Sequence, residues 1–124
     1  MSSLSHTMLV IDDSTEQQQL YQNIFRQSQI RIAPIPTVDL VRLDGIIHDI
    51  KPSLIIVDSY TLRPHYTRIT HTLSTTGANI PNAVVTTSCD NAICEAFDYV
   101  VLKPFTADAL RQVVRNVLMS TDSF

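Results

Sequence analysis

The chain has 124 residues, 44% of them apolar and 17% charged, and a formal net charge of −3. That is an ordinary globular composition, which excludes a disordered chain and is long enough to bury one core. The nine Lys and Arg residues are scattered without a basic stripe, so no nucleic-acid contact by this domain is expected.

Met8–Ile11 is an apolar run of four, too short for a helix and suited to a buried strand. Asp13 and Glu16 have capping-box spacing, and Leu20, Tyr21, Ile24 and Phe25 then mark one face of a first helix. Ile30–Ile35 reads as a second strand, ended by Pro34 and Pro36 because proline does not donate to a ladder. Leu43, Ile46, Ile47 and Ile50 predict a second helix, weakened at Gly45 and closed by Pro52. Leu54–Val57 is continuous and rich in β-branched residues, as a strand buried on both faces should be. Leu62, Tyr66, Ile69 and Leu73 give a third helix that ends near Gly77. Ala83–Val85 is a fourth strand, Ala92, Ile93, Ala96 and Phe97 a short helix, and Tyr99–Leu102 a fifth strand. Leu110, Val113, Val114, Val117 and Leu118 form the longest helical stripe, opened by Thr106 with Asp108 in its first turn.

This alternation predicts an α/β fold, (βα)5, with a doubly wound parallel five-stranded sheet and a shortened fourth helix. The whole of 1–124 is expected to be one domain, with its core from about 8 to 118. No apolar run exceeds four residues and no signal peptide is visible, so no membrane span and a cytoplasmic location are expected. Cys89 and Cys94 then read as reduced thiols, and the pair alone is too few ligands for zinc.

The residues that close each strand carry the chemistry. Asp12 and Asp13 follow the first strand, Asp58 the third, Thr86 and Thr87 the fourth, and Lys103 and Pro104 the fifth. Taken singly, each has a plain explanation: Asp13 and Asp58 as caps, the threonines as turn residues, Lys103 as surface charge. A parallel sheet, however, puts all these ends on one edge, where ligands bind such folds. Clustered carboxylates repel, and a divalent cation with oxygen preference relieves the repulsion. A carboxylate in such a site can attack phosphorus, with the cation and an ammonium neutralising the phosphoryl oxygens.

The runs V-I-D-D at 10–13, P-S-L-I-I-V-D at 52–58, P-N-A-V-V-T-T at 81–87 and L-K-P-F at 102–105 resemble the receiver domains of two-component response regulators. The resemblance covers nearly the whole chain and implies a flavodoxin-like topology. It implies that Asp58 is the phosphoacceptor and that Mg²⁺ (or Mn²⁺) is held by Asp12, Asp13, Asp58 and the backbone carbonyl of Tyr60, with Asp13 the more direct ligand. Thr86 would be the switch hydroxyl and Lys103 the phosphate-contacting lysine, with Pro104 often held cis. The implied partners are a histidine kinase or histidine phosphotransfer protein and an unidentified downstream protein, with a homodimer left open. The chain would be a signalling phosphoacceptor that assists its own phosphorylation and dephosphorylation rather than an enzyme.

Several positions depart from the family pattern. Leu62 stands where a proline is usual, with Pro64 two places later; Thr87 stands where a small residue is usual. The stretch from Thr86 to Lys103 is short by roughly one helical turn and lacks the glycine common before the fifth strand. The aromatic switch position is Val100, with Tyr99 one place earlier, and a one-residue offset in a strand reverses the side chain's face. The chemical site is therefore expected to be intact and the transmitting face remodelled, with Tyr99 not swinging inward. The resemblance implies that Tyr60 and Ser88 flank the approach of hydrolytic water; neither is a good base, which predicts a long-lived phosphoryl group.

Two other readings compete. A degenerate receiver would act as a phosphorylation-independent protein-binding module; the retained site residues argue against it. An aspartyl phosphohydrolase would need a second acid at Ser14. The chain ends soon after its last helix, so no output domain is expected within it, and both a stand-alone regulator and an excised domain stay open.

Overall fold

The computed structural model describes residues 6–88 and 91–122. Five strands, β1 (His6–Ile11), β2 (Ile30–Ile35), β3 (Leu54–Asp58), β4 (Asn82–Thr86) and β5 (Tyr99–Leu102), form one parallel sheet in the order β2-β1-β3-β4-β5. This is the doubly wound order in which the sheet reverses direction between β1 and β3, opening a crevice at their carboxyl ends.

The two-residue period of a strand sorts the core into two layers. Met8, Val10, Ile56 and Val85 face α1 (Thr15–Ile24) and α6 (Ala107–Asp122), packing on Tyr21, Leu110, Val114 and Val117. Leu9, Ile11, Ile55, Val57 and Val84 face the other side, against Leu43 and Ile47 of α2 (Leu43–Ile50) and Ile69 and Leu73 of α4 (Tyr66–Ser74). Every residue of β3 and β4 is buried, which accounts for their unbroken apolar runs. Thr106 opens α6 as expected, its hydroxyl accepting from the Ala109 N–H at 3.0 Å.

Three local expectations are corrected. Ser14, not Asp13, caps α1, its hydroxyl accepting from the Gln17 N–H at 3.1 Å, so the carboxylate of Asp13 is released for other work. Pro34 lies inside β2, opposite Val10, and is tolerated because β2 is an edge strand. The third helix is split into α3 (Ser59–Leu62), a 3₁₀ turn at Arg63–His65 that accommodates Pro64, and α4. A further 3₁₀ helix, Thr37–Arg42, precedes α2. The short helix of the last third is α5 (Asn91–Glu95).

Cys94 is disulfide-bonded, so the reduced-thiol expectation fails there; Cys89 lies outside the described residues. A compartment sets the average state of thiols, whereas the local geometry that brings two thiols together decides a particular bond. Among the described residues no helix is long and apolar enough to cross a membrane.

Candidate functional site

The carboxyl ends of β1, β3 and β5 bring Asp12, Asp13, Asp58 and Lys103 to one open pocket, which Thr37, Tyr60, Thr61 and His65 also line. Asp58 is 5% exposed and doubly held. Its Oδ2 accepts from the N–H groups of Tyr60 at 2.9 Å and Thr61 at 3.4 Å, because Asp58 is also the N-cap of α3. Its Oδ1 accepts from Lys103 Nζ at 2.6 Å. Lys103 follows β5, next to β4, and its own N–H donates to the Thr86 carbonyl at 2.8 Å. The Lys103–Pro104 peptide is cis.

Asp12 is 3% exposed. Its Oδ1 accepts from the Ser14 N–H at 2.9 Å, while Oδ2 is buried without a partner. Burial raises its pKa above the ordinary 3.8, and the neighbouring Asp58 and Asp13 charges add to the rise, against the Ser14 hydrogen bond and Lys103. A buried, unpartnered carboxylate oxygen beside a second carboxylate is what a cation would relieve, and these oxygen donors fit Mg²⁺.

Asp13 lines the pocket but is turned toward the β2 side. Its Oδ1 and Oδ2 accept from the N–H (2.6 Å) and hydroxyl (2.9 Å) of Thr37. Its own N–H donates to the Thr61 hydroxyl at 3.2 Å. Consistent with this, among the described residues no three His, Cys, Asp or Glu side chains converge as a ready ligand set. Mg²⁺ keeps several waters and does not need a closed protein cage, so the donors still suit it.

The other expected residues divide. Tyr60 is 69% exposed, yet Lys103 Nζ lies 5.7 Å from its ring centroid, so the ring borders the pocket mouth as a cation–π partner. Thr86 is buried beside Lys103, but its hydroxyl donates to the Ser88 carbonyl at 2.9 Å, a local turn bond that does not reach the pocket. Thr87 lines a separate depression with Gln17, Leu20, Lys103, Pro104 and Phe105, and Ser88 is exposed. Tyr99 is exposed, and Val100 takes the inward place against the second core layer. Thr37, Thr61 and His65 were not anticipated. Thr37 stands two residues past the end of β2, as Asp13 does past β1, so strand-end position could have pointed to it.

No protein-family model matches the sequence, and no curated protein matches it. Solved structures do. The signal receiver domain of a LuxO repressor protein from Vibrio parahaemolyticus aligns with a TM-score of 0.77 at 20% identity, covering 96% of this chain and 94% of that one. The chemotaxis protein CheY4 of Vibrio cholerae aligns at 0.75 with 14% identity, covering 93% and 100% of the two chains. A response regulator from Thermotoga maritima gives 0.75 and 18% identity over 94% and 99%. The fold of this chain is therefore the receiver fold.

Proposed function

We propose that this receiver-fold chain works in two-component signalling, accepting a phosphoryl group on Asp58 from a histidine kinase or histidine phosphotransfer protein. The observation that carries the reading is the Asp58–Lys103 pair at 2.6 Å, buried beside Asp12 where the sheet reverses direction. Asp58 Oδ2 is anchored by two backbone N–H groups, which leaves Oδ1 to attack phosphorus while the donor imidazole leaves. Lys103 can follow the negative charge from Oδ1 onto the phosphoryl oxygens. Asp12, Asp13, Asp58 and the Tyr60 carbonyl would hold Mg²⁺ or Mn²⁺, which when bound supplies positive charge to those oxygens. Tyr60, projecting over Lys103, shields the aspartyl phosphate from in-line water. Phosphorylation then switches contacts with a downstream protein. The test is intact-mass measurement after incubation with acetyl phosphate and Mg²⁺: one phosphoryl adduct on the wild type and none on Asp58→Asn. No adduct on the wild type at high donor, or an adduct that persists on the variant, contradicts the reading.

A further inference from the structure

The nine Lys and Arg residues are scattered in sequence, but the fold gathers three of them. Arg26, just past the carboxyl end of α1, and Arg111 and Arg115 of α6 line one depression of about 600 Å³, together with Asn23 and Ser28. No Asp or Glu lines it. A second depression, of about 360 Å³, shares Arg111, Arg115 and Ser28 with the first and adds the apolar surface of Phe25, Ile30, Leu118 and Met119. Met119 is 63% exposed, a large apolar side chain left open beside the arginines.

Part of this charge serves the fold. α1 has no basic residue in its last turn, so its carboxyl pole is complemented from outside that turn. Arg111 Nε donates to the Ile24 carbonyl at 3.0 Å, and Arg26 Nη2 donates to Asn23 Oδ1 at 2.6 Å. Arg111 also pairs with Asp108 at 2.7 Å, an acid that is 93% exposed. Arg115 has no such role. It follows Arg111 by one turn of α6, a spacing at which like charges repel. Among the described residues its side chain makes no hydrogen bond or ion pair. The fold bears the cost of that repulsion and gains no bond from Arg115 in return.

We propose that this face docks an acidic segment of a partner protein, with an apolar side chain seated against Phe25, Leu118 and Met119 and neighbouring carboxylates paired with Arg26 and Arg115. Guanidinium groups match carboxylates two bonds at a time, and the bonds that already hold Arg26 and Arg111 lower the ordering cost of pairing. Charge complementarity selects the occupant. The chain as a whole carries −3, so this local reversal of sign is where an acidic segment is attracted. A second copy meeting the face about a two-fold axis would oppose arginine to arginine. Nucleic acid takes a longer track of cations and has no use for the apolar hollow. His6 and Ile30, which begin β1 and β2, line the face, so it lies at the sheet edge opposite the acidic pocket. Docking there leaves Asp58 open and does not depend on the phosphoacceptor reading.

The probes are short peptides of Leu-Glu-Glu, Leu-Gln-Gln and Ser-Glu-Glu repeats and a thymidine oligonucleotide, each titrated into the ¹⁵N-labelled chain at low salt. The expected result is saturable shifts at Arg26, Ser28, Arg111, Arg115 and Met119 with the Leu-Glu-Glu peptide, and weaker binding of the other three probes. Arg115→Gln, at an exposed side chain without a partner, keeps the fold and weakens that binding about threefold, the scale of one exposed charge pair. No shift on this face at about 5 mM Leu-Glu-Glu peptide overturns the inference. So does equal binding of the Leu-Gln-Gln peptide, tighter binding of the oligonucleotide, or an Arg115→Gln variant that binds as the wild type does.

Discussion

The acidic pocket and the β4–α5–β5 segment are built by different kinds of bond. In the pocket, two of the side-chain bonds join residues far apart in the chain: Lys103 to Asp58, and Thr37 to Asp13. In the other segment the key hydroxyl, on Thr86, is satisfied two residues away at Ser88, and Tyr99 lies exposed on an edge strand. Long-range bonds between strand ends are fixed by the sheet register, so that geometry survives sequence divergence. A hydroxyl satisfied within its own turn is under no such constraint, and its direction can differ from the family's without cost to the fold. The geometry of the pocket and that of this segment can therefore vary independently.

The strongest way to break the first region is Lys103→Met. Removing one member of an enclosed pair leaves Asp58 uncompensated, and because Lys103 keeps 19% exposure the cost is about 2 kcal/mol, below that of a fully buried pair. Urea denaturation in EDTA reads it; a variant as stable as wild type shows that the pair contributes nothing.

Asp12 has the opposite sign. Its raised pKa means that its charge opposes folding: the stability it contributes is whole below 3.8 and is lost as pH rises through its higher folded value. Asp12→Asn is expected to melt higher than wild type in EDTA at neutral pH, with the gap closing on acidification and reversing in Mg²⁺, which stabilises the wild type by selective binding. A gap independent of pH contradicts the assignment.

Thr37→Val sharpens the picture at Asp13. Cation and hydroxyl compete for that carboxylate, so losing one neutral donor should tighten Mg²⁺ binding about threefold, under 1 kcal/mol. Weaker binding would mean that Thr37 orients Asp13 for the cation. At the pocket mouth, Tyr60→Asn should shorten the lifetime of the phosphoryl group about twofold or more as the shield is removed; an unchanged lifetime leaves Tyr60 as a solvent-facing ring. The smallest expected effect lies in the second region. Spectra with and without beryllofluoride should show little change at Tyr99, and a large inward shift of Tyr99 would erase the contrast between the two regions.

The fold was readable because strand burial writes itself into sequence: β3 and β4, buried at every residue, gave continuous apolar runs, and α6 a regular stripe. The strand ends placed Asp12, Asp58 and Lys103 for the same reason, since register alone brings them together. Asp13 was harder to read. Its spacing to Glu16 pointed to a helix cap, but Ser14 competes for that role at shorter reach, and the Thr37 partner lies 24 residues on, where no local pattern signals it. The split of the third helix followed from Pro64, whose effect on the turn before α4 a spacing of apolar residues does not register.

The central claim is that Asp58, and no other carboxylate of the pocket, takes the phosphoryl group. Borohydride reduces an aspartyl phosphate to homoserine, marking the acceptor in the chain. After loading with acetyl phosphate and Mg²⁺, reduction and peptide mapping by mass spectrometry, the account predicts homoserine at position 58 alone. Homoserine at position 12 or 13, or at no position despite excess donor, would contradict it.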